Sequence, residues 1–228
     1  MTTWAKLVAF DMAGTTIDEG DLVYAVLRRV TEDAGAQYDD ATFVEQMGTE
    51  KHGAVSALLD AGGVDAGPQL VDEVHARFVN ELTAAYQAHP PRAFAGIEDA
   101  FAALRADGIK VALTTGFDRP TVDLLFTALG WSVPTTVDFV VCATEVAGGR
   151  PAPDMILAAM AALDVTEHAA VIAVGDTPAD LWAAHHAGAV GVGVLTGAAD
   201  RDTLAAQPHH ALLGSAAEIV ELVRTRRG

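Results

Sequence analysis

Leu7-Val8-Ala9-Phe10-Asp11-Met12-Ala13-Gly14-Thr15-Thr16 is the stretch on which the reading of the fold turns. An apolar run with β-formers ends in a carboxylate, and small, flexible residues follow at once. A strand buried in a parallel sheet reads this way when it delivers one polar side chain to its C-terminal edge, where open α/β sheets place their ligands. Burying a carboxylate there is costly, so a cation, donors from the turn, or both must offset it. Gly14 allows a tight turn and leaves backbone N–H groups free to face an anion. A strand followed by an ordinary Asx-turn would read the same way locally, so the rest of the chain has to decide.

Downstream of Phe94 the chain alternates strand and helix. Strands are expected at 110–114, 138–142, 169–174 and 190–194, with helices at 97–107, 119–129, 154–163, 179–187 and 216–224. This alternation predicts the α/β class: a Rossmann-like parallel sheet core with helices on both faces. The opening strand belongs to the same sheet. Between it and the rest, residues 20–90 read as helical throughout, with pieces at 22–30, 42–47, 51–59 and 70–87. The last of these draws its apolar side from Leu70, Val71, Val74, Phe78, Leu82 and Tyr86 at steps of three and four, and ends at His89-Pro90-Pro91. The expected organisation is therefore a core made of residues 1–19 and 91–228 with an inserted helical cap at 20–90.

At 228 residues the chain is long enough for one large domain or for a core with a smaller insert. Its formal net charge of -17, from 31 acidic residues against 14 Lys+Arg, disfavours nucleic acid and anionic membrane as partners. An anionic substrate would then need local cations or a metal to invert the field. The single cysteine, Cys142, excludes an internal disulfide, fits a reducing interior and reads as buried packing. The N-terminus, Met1-Thr2-Thr3-Trp4-Ala5-Lys6, has no signal-peptide character, and no apolar run reaches the roughly 20 residues of a membrane span. The expectation is a soluble cytoplasmic protein.

Each sheet strand delivers something polar at its end. Asp11 closes the first, Thr114-Thr115-Gly116 ends the second, and Gly175-Asp176-Thr177-Pro178-Ala179-Asp180 follows another. Asp180 falls in the first turn of a helix that Thr177 can cap and Pro178 can begin. Carboxylates converging on one crevice repel one another unless a cation intervenes, and an all-oxygen ligand set favours Mg²⁺. Arg150, in the rigid loop Gly149-Arg150-Pro151-Ala152-Pro153, would pair with a phosphoryl oxygen or with the nucleophilic carboxylate, unless it is simply a surface arginine.

Taken in order, Asp11-Met12-Ala13-Gly14-Thr15-Thr16, Thr115, Arg150 and Gly175-Asp176-Thr177 with Asp180 resemble the four motifs of the haloacid dehalogenase-like hydrolases, and the helical insert is similar to that superfamily's small cap. The resemblance implies that Asp11 attacks phosphorus to give an aspartyl-phosphate. It also implies that Asp11, the Ala13 carbonyl and Asp176 hold Mg²⁺, with Asp180 orienting a metal ligand. Gly14, Thr15, Thr115, Gly116 and Arg150 would bind the phosphoryl group. The implied substrate is a small phosphorylated or phosphonate metabolite, and by analogy a homodimer through the cap helices is compatible with the chain.

Ordinary phosphatases of this family carry a second aspartate where this chain has Ala13, and alanine cannot protonate a leaving alcohol. Met47-Gly48-Thr49-Glu50-Lys51 resembles the Met-Gly-x-x-Lys of the phosphonoacetaldehyde hydrolases, in which the lysine forms an imine with the substrate aldehyde. Lys51 is matched to that role; otherwise it is a solvated helix-start lysine. This chain departs from that branch at Met12, Asp21, Ala54 and Phe117, where the branch has a tryptophan or similar bulky residue, a cysteine, a histidine and a tyrosine. The alternative is a small-metabolite phosphomonoesterase similar to phosphoglycolate phosphatases. His185-His186 and His209-His210 are read as non-ligands, because neighbouring side chains on a helix diverge and the second pair follows a proline in a loop.

Overall fold

The computed structural model describes residues 4–225; the first three residues of the N-terminal stretch discussed above lie outside them. The chain begins with β1 (Leu7–Asp11), every residue of which is buried. There follow β2 (Ile17–Asp18), α1 (Leu22–Asp33), α2 (Asp40–Val44), α3 (Lys51–Ala61), α4 (Pro68–Ala88) and β3 (Arg92–Ala93). The second part runs α5 (Ile97–Ala106), β4 (Lys110–Thr115), α6 (Arg119–Leu129), β5 (Phe139–Cys142), α7 (Asp154–Ala162), β6 (Val171–Gly175), α8 (Pro178–His186), β7 (Val190–Val194), α9 (Arg201–Ala205), β8 (Ala211–Leu213) and α10 (Ile219–Thr225).

Six strands form one parallel sheet in the order β5-β4-β1-β6-β7-β8. The first strand is thus central, paired with β4 through Asp11↔Thr114 and with β6 through Phe10↔Val174. The alternation of a strand sends its side chains to two different cores. Val8 and Phe10 join a cluster containing Phe101 and Leu104 of α5 and Val122 and Leu125 of α6, with Phe10 meeting Phe101 edge-on at 5.3 Å. Leu7 joins Ile156 and Met160 of α7 and Ala183 and Ala184 of α8 on the opposite face. The sheet therefore carries helices on both faces, the α/β architecture expected from the alternation.

The helices α1–α4 lie in sequence between β2 and β3, and these two short strands pair antiparallel with each other. Both passages of the chain between sheet and helices therefore run through one ribbon. Helix α4 buries Val71, Val74, Phe78, Leu82 and Tyr86 along one stripe, and its N-terminus takes Pro68 where a missing N–H costs nothing. Leu70 is half-buried.

Four elements went beyond the expectation, the short crossing strands β2 and β3 among them. Between Val194 and Ala216 the chain forms α9, capped by Asp200 through the Thr203 N–H at 2.8 Å, and β8 at the sheet edge. Five and three residues are too few for a period to show. The final helix also starts later than expected, because residues 216–218 form a 3-10 turn before α10. No described helix is long and apolar enough to cross a membrane.

Candidate active site

Adjacent strands of a sheet lie about 4.8 Å apart, so polar residues at the ends of β1, β4 and β6 meet by construction. The structure brings Asp11, Asp176 and Asp180 together, each buried, with one carboxylate oxygen from each within 4.8 Å of the others. No other such group of His, Cys, Asp and Glu occurs among the described residues. The histidine pairs are engaged elsewhere: His186 Nδ1 lies 2.8 Å from the Pro151 carbonyl, and His209 Nδ1 lies 2.8 Å from the Gln207 carbonyl.

Arg150 is drawn into the cluster instead of lying on the surface. Its Nη2 lies 2.6 Å from Asp11 Oδ1 and its Nη1 lies 2.8 Å from Asp180 Oδ1, with all three side chains buried. The same guanidinium donates to the Thr114 carbonyl at 2.8 Å and to Thr114 Oγ1 at 3.0 Å. Of the two partners expected for it, a phosphoryl oxygen and the Asp11 carboxylate, the second lies against it. Asp180 Oδ2 also accepts the Thr177 N–H at 3.1 Å and its hydroxyl at 2.5 Å, so the first turn of α8 closes a capping box.

Among the described residues Asp176 has no cationic partner. It accepts the Thr15 hydroxyl at 2.8 Å and the Ala198 N–H at 2.9 Å. Burial, then the charges of Asp11 and Asp180, push its pKa up to about 8. Burial likewise raises Asp11, which Arg150 draws back down, to about 6. These oxygens suit a divalent metal: they are hard, clustered and unbalanced in charge. Gly14 is required where it stands, since its φ is 80° and a Cβ there would lie 2.6 Å from Asp176 Oδ2. Ala13 bridges to Ile17 and lines the crevice beside Asp11.

The crevice is lined by Asp11, Ala13, Thr115, Gly116, Phe117 and Arg150 from the sheet side and by Val23, Tyr24, Gly48 and Lys51 from the helical block. Thr115 Oγ1 accepts the Phe117 N–H at 3.1 Å. Lys51 is only 6 % exposed, which rules out the solvated alternative. Its Nζ donates to the Thr49 carbonyl at 2.7 Å and faces the rings of Tyr24 and Phe117 at 5.8 and 5.9 Å. Burial, and next the positive charge of Arg150, lower its pKa to about 8. The turn that carries it is pressed against the sheet: a side chain at Gly116 would collide with the Thr49 carbonyl and stand 3.4 Å from Lys51 Nζ.

Thr114, legible in the sequence only as a polar strand end, braces Arg150, while Thr115 points to the opposite side of the strand. Other residues of the site carry no signal in the sequence. Thr196 donates to the Gly14 carbonyl at 2.7 Å, and Ala198 N–H reaches Asp176 from the same loop after β7. Tyr24 has no sequence signal at all. Cys142 is fully buried with its thiol pushed up to about 12 by burial, in keeping with a packing role.

A family model for haloacid dehalogenase-like hydrolases matches residues 8–194. A phosphonoacetaldehyde hydrolase of Parabacteroides distasonis is 31% identical over 205 residues, covering 83% of this chain and 76% of that protein. Among solved structures, a phosphonoacetaldehyde hydrolase-like protein from Oleispira antarctica superposes with a TM-score of 0.76 at 23% identity, covering 99% of this chain and 94% of that one. A β-phosphoglucomutase from Clostridium difficile superposes at 0.82 with 18% identity, covering 97% and 96%. At those identities the structural likeness speaks for the fold alone.

Proposed function

The chain belongs to the haloacid dehalogenase-like hydrolases, enzymes acting on phosphate- and phosphonate-containing substrates, and we propose that it is the phosphonatase-like kind, cleaving a small phosphonoaldehyde through Asp11 and a Lys51 imine. One observation carries this reading: a buried lysine with a lowered pKa lines the same crevice as Asp11, whereas the position that would supply a proton to an alcohol is Ala13. The curated relatives named phosphonoacetaldehyde hydrolase support it. In this reading residues 20–90 act as the cap over a core of 1–19 and 91–228.

Neutral Lys51 Nζ adds to the aldehyde carbon and forms an iminium on loss of water. An Asp11 oxygen attacks phosphorus in line with the carbon–phosphorus bond. That bond breaks, and its electron pair flows into the iminium to give an enamine. Water then cleaves the aspartyl-phosphate, releasing phosphate and restoring Asp11. The enamine takes a proton and is hydrolysed, releasing the aldehyde and Lys51. Arg150 holds Asp11 in place for attack, and Gly14, Thr15, Thr115 and Gly116 cradle the phosphoryl oxygens with it. Asp11, the Ala13 carbonyl, Asp176 and Asp180 would hold Mg²⁺, which supplies charge neutralisation to the transferring phosphoryl group.

Borohydride added with phosphonoacetaldehyde should leave a covalent adduct on Lys51, and Lys51→Ala should lose phosphonate turnover. An unmodified lysine with turnover intact ends the reading. A phosphomonoesterase is the second reading, favoured by one feature: Ala54 and Phe117 put no polar side-chain atom beside Lys51 to move protons during imine exchange. Normal hydrolysis of small phosphate esters by Lys51→Ala would establish it.

A further inference from the structure

Tyr24 lines the crevice from α1, and the chemistry above makes no use of it. Its ring is fixed in advance: Phe43 meets it edge-on with centroids 6.3 Å apart, and Lys51 Nζ stands over it. The phenol oxygen accepts the Gly48 N–H at 3.1 Å. That bond uses a lone pair and leaves the O–H proton to be donated, and among the described residues no acceptor takes it. Ala13 and Phe117 bring no polar side chain to the crevice. Its hydroxyls are then those of Thr115, at the end of β4, and Tyr24, beside the amine.

We propose that Tyr24 donates a hydrogen bond from Oη to the oxygen carried on the organic part of the substrate, the carbonyl oxygen of an aldehyde. The proposal rests on the phosphoryl-transfer reading above and deepens it. With the oxygen held by Tyr24, the carbonyl carbon faces Lys51. The amine's lone pair forms the C–N bond while the C=O π pair moves onto the oxygen, where the phenol stabilises it. That oxygen leaves as water with one proton from the amine and one from solvent. Tyr24 stays a phenol throughout, acting by hydrogen bonding in a pocket where burial and the carboxylates oppose its ionisation.

The test is Tyr24→Phe, which keeps the ring and removes only the hydroxyl. Placed in an Asp11→Asn background, where phosphoryl transfer is blocked, it should slow borohydride trapping of phosphonoacetaldehyde at Lys51 by about a hundredfold, the scale of one removed oxyanion donor. Inhibition of the otherwise native Tyr24→Phe enzyme by orthophosphate, which carries no organic part, should be unchanged. Trapping at the undiminished rate overturns the proposal. So does a parallel loss of trapping and of orthophosphate affinity, which would mean that Tyr24 only pins the turn through Gly48. If Asp11→Asn alone traps nothing, the lysine reading is the one that fails, and the proposal is judged on small phosphate esters. There a kcat lowered about tenfold with KM held would support Tyr24 as donor, and an unchanged kcat would overturn it.

Discussion

Arg150 is the residue on which the electrostatics of the site turn. One guanidinium lies between Asp11 and Asp180 and also donates to Thr114 and the Gly48 carbonyl. Asp11 is thereby fixed in direction. The same positive charge reaches Lys51 and adds to burial in favouring the neutral amine. This fixes the pH dependence of the lysine. Its pKa in the folded protein is about 8, below the usual 10.5, and the nucleophile is the deprotonated form. Borohydride trapping should therefore rise about tenfold per pH unit below pH 8 and level off above it. A rise continuing to pH 10 would show an amine with the ordinary pKa of a solvated lysine.

Among the elements, the start of α3 is built to deliver that amine. Glu50 caps the helix by accepting the His52 and Gly53 N–H groups, each at 2.7 Å, so Lys51 follows immediately at the helix N-terminus. A helix N-terminus disfavours a cation, which acts in the same direction as burial. The ribbon of β2 and β3 is the other decisive element. Just past it, Glu19 is buried and accepts the Val23 N–H at 2.9 Å and the Tyr86 hydroxyl at 3.3 Å, joining the start of α1 to the end of α4. Burial raises its pKa from 4.5 to about 7. A carboxyl raised on folding adds stability that is fully present below pH 4.5 and is lost as pH rises through 7. Glu19→Gln, which cannot ionise, should be more stable than the native protein at pH 8 by roughly 1–3 kcal/mol, and the difference should shrink toward pH 4.5. Thermal unfolding at the two pH values checks this; an equal difference at both would mean that Glu19 ionises at no cost.

On the scale of the whole molecule, an acidic chain of net charge -17 has to receive an anionic group. The sheet solves this locally by converging Arg150 and three carboxylates on one edge, where a divalent metal would neutralise the surplus. Anything that binds only the folded state stabilises it by mass action, by about 2.7 kcal/mol at a hundred times its Kd. Mg²⁺ should raise the thermal midpoint of the native protein, and Asp176→Asn should lose most of that rise. A native protein indifferent to Mg²⁺ would count against the metal site.

By itself the sequence determined the α/β alternation, the helical block within it, the strand-end residues Asp11, Thr115 and Asp176, and Asp180 in the helix that follows. These follow from local rules: a buried strand has a readable period, and its last residue necessarily meets the last residues of its neighbours. Lys51 and Arg150 were legible as residue types in suggestive loops, but their burial was not, because a loop's destination is set by what it packs against. Only the tertiary structure decided that Arg150 bridges Asp11 and Asp180, that Thr196 and Ala198 reach back to Gly14 and Asp176, and that Tyr24 faces the crevice. Those contacts join residues far apart in the chain, with 182 positions separating Thr196 from Gly14. No local pattern encodes them; they exist because the loops at the strand ends converge on one edge of the sheet, over which the helical block closes.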